Sequence, residues 1–244
     1  MPKIRKLVIG IRPAKRLFRL SSQAGIIVDT IVDAVGNSLP DGYVTQVKRT
    51  GDDQLTSLTS EDGLTTLTLN VENILLTKDY YDNHKHCDQN EVLKEFRTVW
   101  EMINKILQVR EIRRIGIFAE YRFKPAKDNP SADLLALLSS VQREGYPAKF
   151  VMSFETRLNA KTKGAIDPET SDFLNIGENY YDSEVDSEHS AKGFINANLD
   201  VQRYFAPVIG DIKDHLVEVN TQFEKSSKAF LDRVKKLGLT DAQW

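Results

Sequence analysis

The chain has 244 residues, 41% of them hydrophobic, and its 33 lysines and arginines nearly balance its 35 aspartates and glutamates, giving a formal net charge of -2. This composition is typical of a folded globular protein and excludes disulfide-rich, collagen-like and strongly charged disordered chains. The single cysteine, Cys87, cannot form an internal disulfide, which favours a reducing compartment. The apolar runs near the start are short or interrupted by aspartates, so we expect no signal peptide or membrane span and predict a cytoplasmic protein.

In chain order, the first predicted elements are a strand at residues 4–9 and a helix at residues 24–35. Three strands follow, predicted at residues 43–49, 54–59 and 64–78 from β-branched residues between turn compositions. A long helix then begins at a capping box formed by Asp88 and Glu91.

The second half repeats this order. Residues 112–117, Ile-Arg-Arg-Ile-Gly-Ile, match residues 4–9, Ile-Arg-Lys-Leu-Val-Ile, at an offset of 108 residues. A helix is predicted from Asn129 and Pro130 to Gly145, and strands are predicted at residues 148–159, 173–181 and 192–204. The last helix is expected to begin near Asp211 and to stop at Gly238.

These elements predict two tandem β-α-β-β-β-α repeats, at residues 1–110 and 111–244, fused into one body because no flexible linker separates them. The predicted fold class is α+β, with an extended, mainly antiparallel sheet and the helices on one of its faces.

Several short segments carry a resemblance to a known family. They are the aromatic-containing helix with Phe96 and Trp100, the 112–117 strand, the Tyr121-Arg122-Phe123 segment, and Leu199-Asp200-Val201 before a long helix. In these segments the chain resembles a sporadically distributed family of uncharacterised bacterial proteins of about this length, although it lacks the proline-containing entry strand of that family. The resemblance implies an accessory protein associated with mobile or antiviral defence gene clusters, and it implies no catalytic residue.

The sequence contains no familiar catalytic or nucleotide-binding motif. Glycine-rich phosphate loops, a G-x-S-x-G elbow and an H-E-x-x-H pair are all missing, so we expect no cofactor and favour a protein that is not an enzyme. His84, His86 and Cys87 form a weak candidate for a zinc site, but no second ligand pair stands at a matching spacing. A polar loop that ends in the Asp88 helix cap is the favoured interpretation of this cluster.

Charge is strongly separated along the chain. Residues 1–28 contain lysines and arginines but no acidic residue, whereas residues 164–191 contain acidic residues but no lysine or arginine. The candidate basic binding residues are Lys3, Arg5, Lys6, Arg12, Lys15, Arg16, Arg19, Arg122 and Lys124. The candidate acidic hairpin carries Asp182, Glu184, Asp186 and Glu188. The two tracts could also neutralise each other within one molecule or meet between copies in an oligomer.

We therefore expect an adaptor protein that binds a partner protein, or a second copy, through a charged sheet edge, the acidic hairpin or the long C-terminal helix. Two alternatives remain open. One is a nucleic-acid-binding saddle that uses the basic tracts 3–19 and 110–127, although the sequence pI of about 6.1 is low for such a protein. The other is a ligand-binding or enzymatic pocket between the repeats.

Overall fold

The described part of the chain folds into ten strands and four helices. The computed structural model describes residues 3–40, 42, 46–50, 55–80, 87–124, 130–139, 149–159, 166–182 and 194–241. The strands are β1 (Ile4–Pro13), β2 (Gln46–Thr50), β3 (Leu55–Thr59), β4 (Thr65–Leu69), β5 (Ile74–Asp79), β6 (Ile112–Lys124), β7 (Val151–Leu158), β8 (Phe173–Asp182), β9 (Ile195–Ile209) and β10 (Thr240–Asp241). The helices of this part of the chain are α1 (Leu20–Ala34), α2 (Gln89–Leu107), α3 (Pro130–Leu138) and α4 (Lys213–Lys236).

All these strands belong to one antiparallel sheet. Nine of them follow the order β2-β3-β4-β5-β1-β6-β9-β8-β7, and the short β10 pairs with β6 beside this path. At the centre β1 pairs with β6, with Ile9 opposite Ile117, so the sheet continues from the first half of the chain into the second. The predicted α+β class with an antiparallel sheet is confirmed.

The helices cover the face of the sheet that carries the core. Alternate residues of β1 are buried on this helix face: Leu7, Ile9 and Ile11. An ion pair of 2.8 Å between Lys78 Nζ and Glu95 Oε2 joins β5 to α2. The rings of Tyr121 and Phe230, with centroids 5.5 Å apart, join β6 to α4. The opposite face, which none of the described helices covers, is called the open face below.

The first half differs from its predicted strand count. Residues 64–78 form two strands, β4 and β5, where one was predicted. The side-chain oxygen of Asn70 accepts hydrogen bonds from the backbone N–H groups of Glu72, at 2.9 Å, and Asn73, at 2.6 Å. This asparagine turn reverses the chain without a glycine or proline, and the prediction of a single strand overlooked the weaker turn signal of Asn70 and Asn73. Four described strands therefore lie between α1 and α2.

The predicted start of α2 and the predicted ends of α4 are confirmed, whereas α1 begins at Leu20, four residues before the predicted start, and α3 ends at Leu138, before the predicted Gly145. Asp88 is the N-cap of α2, and its side chain accepts hydrogen bonds from the backbone N–H groups of Asn90 and Glu91. Helix α4 begins two residues after Asp211, and Gly238 follows its end with a φ of 74°, a conformation that glycine adopts without strain. Asn129 and Gly145 lie outside the described residues.

We predict that Asp88→Ala lowers the free energy of unfolding by about 1 kcal/mol, because two N–H groups in the first turn of α2 lose their acceptor. Chemical denaturation monitored by circular dichroism measures the change. Asp88→Ser, which keeps a capping oxygen, should retain most of the stability. Equal losses for both variants would show that the cap contributes nothing.

Candidate partner-binding site

The fold buries two of the predicted basic binding residues. Arg5 lies in the interior, where its guanidinium is 3.9 Å from the carboxylate of Asp241 on β10. Arg122 is also buried, and its Nε donates to the side-chain oxygen of Asn196 at 3.3 Å. These two arginines hold the sheet together and do not present their charge to a partner.

Other residues of the basic tract are paired on the surface of the sheet. Lys6 is 3.4 Å from Asp79 on the neighbouring strand. Arg12 is 2.9 Å from Glu169, which belongs to the acidic tract 164–191. The two tracts therefore neutralise each other in part within one molecule. Lys3, in the predicted tract 3–19, and Lys124, in the predicted tract 110–127, are exposed.

The predicted acidic hairpin is described only at its first residue. Asp182 is buried, and its carboxylate accepts hydrogen bonds from the backbone N–H of Phe150, at 3.0 Å, and from the hydroxyl of Ser131. The Asp182 carboxylate therefore links β8 to the start of α3 through hydrogen bonds and is not exposed at the tip of a hairpin. Glu184, Asp186 and Glu188 lie outside the described residues.

Three residues of the basic tract do come together. Lys15, Arg16 and Arg19 line a cavity of about 640 Å³ between the connection from β1 to α1 and the connection from α2 to β6. The cavity, called the basic pocket below, is lined by residues 13, 15–19 and 107–111. Arg110, within the predicted tract 110–127, supplies a further cation.

Backbone hydrogen bonds fix the two connections against the sheet. The N–H of Ala14 donates to the carbonyl of Glu111 at 2.8 Å, and the N–H of Leu17 donates to the carbonyl of Val71 at 2.7 Å. On the other side, Gln108 ends α2 in the left-handed conformation with a φ of 51°. The next N–H, that of Val109, donates to the side chain of Asn104 at 2.8 Å. The pocket walls are thus held in place by main-chain contacts.

The pocket carries a positive charge, and among the described residues the acids that pair with its cations are themselves exposed. Lys15 lies 2.7 Å from Glu111 and Arg16 lies 2.9 Å from Glu72, and all four side chains are more than two-fifths exposed. Ion pairs in water are worth little, so a partner can replace these carboxylates at small cost.

Two further features extend this positive potential. Arg19 and Arg110 are exposed and form no ion pair with any described residue. Arg19 is also the N-cap of α1, whose first turn contains no acidic residue, so the positive end of the helix dipole adds to the potential.

An exposed aromatic ring completes the site. Phe18 lines the basic pocket, yet 67% of its surface is exposed. Sequence reasoning missed this residue, because Leu17 and Phe18 merely interrupt the basic run between Arg16 and Arg19. A large exposed aromatic ring beside several cations is typical of binding interfaces, because the ring contributes little to the stability of the fold while it remains exposed.

The weak metal and nucleophile candidates gain no support. Burial raises the pKa of the Cys87 thiol to about 12, so it stays protonated at neutral pH and is a poor nucleophile. His84 and His86 lie outside the described residues. Among the residues that the structure describes, no group of three or more histidines, cysteines or carboxylates could hold a metal ion.

The open face of the sheet carries acids as well as bases. Asp200 on β9 accepts a hydrogen bond from Gln202, and burial raises the pKa of its carboxyl to about 6 against the opposing effects of Gln202 and Arg114. Strand alternation places Asp79, Glu120 and Glu155 on the same face. A phosphate backbone laid across this face would therefore meet several carboxylates.

Comparison with known proteins assigns no family. A scan against models of protein families finds no match, and a search of curated proteins finds none either. In the described part of the chain, no helix combines the length and the apolar character needed to cross a bilayer.

We predict that Asp200→Asn stabilises the protein above pH 6. The folded-state pKa of about 6 exceeds the usual aspartate value of about 3.9, so the folded state binds the proton more tightly than the unfolded state. The stability that this proton contributes is complete below about pH 4 and is lost as the pH rises through about 6. The variant lacks this loss and should gain on the order of 2 kcal/mol over the wild type at pH 8.

Urea unfolding at pH 4 to 8 tests the prediction, with Asp29→Asn, on the exposed surface of α1, as the control. A stability difference between wild type and Asp200→Asn that stays constant over this range would contradict it.

Proposed function

We propose that the protein is a non-enzymatic adaptor that binds an acidic segment of a partner protein in the basic pocket. The observation that carries this proposal is the convergence of Lys15, Arg16, Arg19 and Arg110 on one cavity of about 640 Å³ that also holds the exposed ring of Phe18.

The chemistry of the pocket defines the kind of segment that fits. Partner carboxylates can pair with Arg19 and Arg110 directly and can displace Glu111 and Glu72 from Lys15 and Arg16. An apolar partner residue can pack on the exposed ring of Phe18, which would lose its contact with water on binding and anchor the segment among the charges. The expected ligand is a peptide in which aspartates and glutamates flank an apolar side chain.

The distribution of charge favours a protein over a nucleic acid. Arg5 and Arg122 of the predicted saddle are buried, and Arg12 is paired with Glu169. Four described cations of the predicted tracts, Lys15, Arg16, Arg19 and Arg110, therefore converge on a local pocket. The buried and paired arginines interrupt any stripe that could follow a phosphate backbone. The enzymatic alternative has less support, because the described residues that line the pocket include one carboxylate, Glu111, and no histidine, cysteine or hydroxyl side chain that could act with it.

The two-repeat arrangement belongs to the same proposal. The sequence offset of 108 relates Ile9 to Ile117, and these residues are also opposite one another in the sheet. A two-fold axis through the centre of the β1–β6 pair would produce this coincidence. The same axis would exchange the pair Val8 and Phe118 with the neighbouring pair Gly116 and Gly10.

The resemblance to a patchily inherited bacterial family adds the proposal that the partner acts in a cytoplasmic defence or mobile-element system.

A fluorescein-labelled peptide in which aspartates and glutamates flank a leucine tests the pocket by fluorescence anisotropy. We expect the double variant Arg19→Glu/Arg110→Glu to weaken binding by about tenfold or more, because both unpaired cations become repulsive. Lys225→Glu/Lys228→Glu, which makes the same charge change on the exposed side of α4, is the matched control. Phe18→Ala should weaken binding while leaving its salt dependence unchanged.

Two outcomes would overturn the proposal. Equal losses for the pocket variant and the α4 control would show that binding follows net charge alone. Preference for a single-stranded oligonucleotide over the peptide, with affinity falling steeply as salt rises, would place the protein in the nucleic-acid class.

A further inference from the structure

The sheet has an open edge at β7. This strand is the last on the sheet path and pairs with β8 on one side, while no described strand lies on the other. It is exposed along nearly its whole length, and its large apolar side chains Val151, Phe154 and Leu158 are 54%, 48% and 41% exposed. A strand edge of this kind offers unpaired backbone groups to another strand.

The side chains of β7 divide between the two faces of the sheet. Phe154, Thr156 and Leu158 point to the helix face, where the ring of Phe154 lies 6.4 Å from that of Tyr180. Phe154 and Thr156 also border an apolar groove of about 550 Å³ that α4 closes from the other side. Glu155 and Arg157 point to the open face, where their charged groups are 3.5 Å apart.

Symmetry limits how two copies of β7 can pair. When a two-fold axis perpendicular to the sheet relates the two copies, their β7 strands run antiparallel and the helix faces of both sheets lie on the same side. Each side chain of β7 is then opposite a side chain of the partner strand that points to the same face. A register centred on Phe154 places Glu155 opposite Ser153 of the partner subunit and matches no charges. A register centred on Glu155 brings two carboxylates together, which is unfavourable.

The register centred on Thr156 is complementary on both faces. It places Glu155 opposite Arg157 of the partner subunit, and the symmetry forms this pair twice on the open face. On the helix face it places Phe154 opposite Leu158 of the partner subunit, again twice, at the mouth of the apolar groove. Opposite charges and aromatic–aliphatic pairs are the cross-strand contacts that stabilise antiparallel sheets.

We propose that β7 pairs with β7 of a second copy of this chain, antiparallel and centred on Thr156. The two sheets then become one continuous sheet, and the β7 edge of each copy is covered. The dimer is independent of the basic pocket, which lies at the end of β1.

Charge exchange tests the register. Arg157→Glu gives a strand with two acids and Glu155→Arg gives a strand with two bases, so each variant alone places like charges opposite one another. We expect each to weaken self-association by about tenfold or more. Mixing the two variants should restore a heterodimer, because every acid then faces a base, and the double variant Glu155→Arg/Arg157→Glu should dimerise like the wild type.

Sedimentation velocity measures these states in a dilution series from about 100 μM to about 1 μM, a range suited to an interface of modest size. A wild type that is monomeric throughout the series would overturn the proposal. A dimer that tolerates both single variants, or single variants that do not recover on mixing, would also overturn it.

Disulfide trapping provides a second measurement that does not depend on charge. Thr156→Cys places two thiols opposite one another on the axis, within the distance that a disulfide spans, so mild oxidation should give a covalent dimer. Ser153→Cys is the control on the same exposed strand, since in this register the two thiols lie about 20 Å apart. The buried Cys87 is common to both variants. Equal crosslinking of the two variants would contradict the register.

Discussion

The antiparallel pairing of β1 with β6 is the contact on which the rest of the structure depends. In this register Pro13, the last residue of β1, is opposite Ile112, the first residue of β6. The chain that leaves β1 and the chain that enters β6 must therefore meet at the same end of the sheet. That geometry brings residues 15–19 beside residues 107–111 and creates the basic pocket. On β5, which pairs with the other edge of β1, the side chain of Leu75 lies over Gly10, so an added Cβ at this position would be 2.4 Å from the Leu75 Cδ2 atom.

The same sheet decides which charges can act on other molecules. Arg122 and Asp182 are buried and hold elements together, whereas Arg19 and Arg110 remain exposed. A buried charge is retained only where it is paired or hydrogen-bonded, so its place in the sequence says little about binding. Basic and acidic residues are strongly separated along the chain, but ion pairs such as that of Arg12 with Glu169 join the two tracts. The folded protein therefore cancels part of this separation of charge.

The basic pocket and the β7 edge offer two separate surfaces. Three strands, β6, β9 and β8, lie between β1 and β7 on the sheet path. In the proposed arrangement, a dimer formed through β7 leaves the pocket of each copy accessible, and the complex would hold two acidic partners at once. Such bivalence raises the effective affinity for a partner that itself presents two binding segments.

Local patterns determined the elements of this protein. The matching segments 4–9 and 112–117 indicated the starts of β1 and β6, and the Asp88 cap with the apolar stripe after it indicated α2, because these signals arise within a few residues. The turn at Asn70 was missed because Asn70 and Asn73, without a glycine or proline beside them, are a weak turn signal within a strand-like run. The tertiary structure alone decided that Lys15, Arg16 and Arg19 meet Arg110 while Arg5 and Arg122 are buried. Strand register over a separation of about one hundred residues controls that choice, and no local pattern in the chain encodes it.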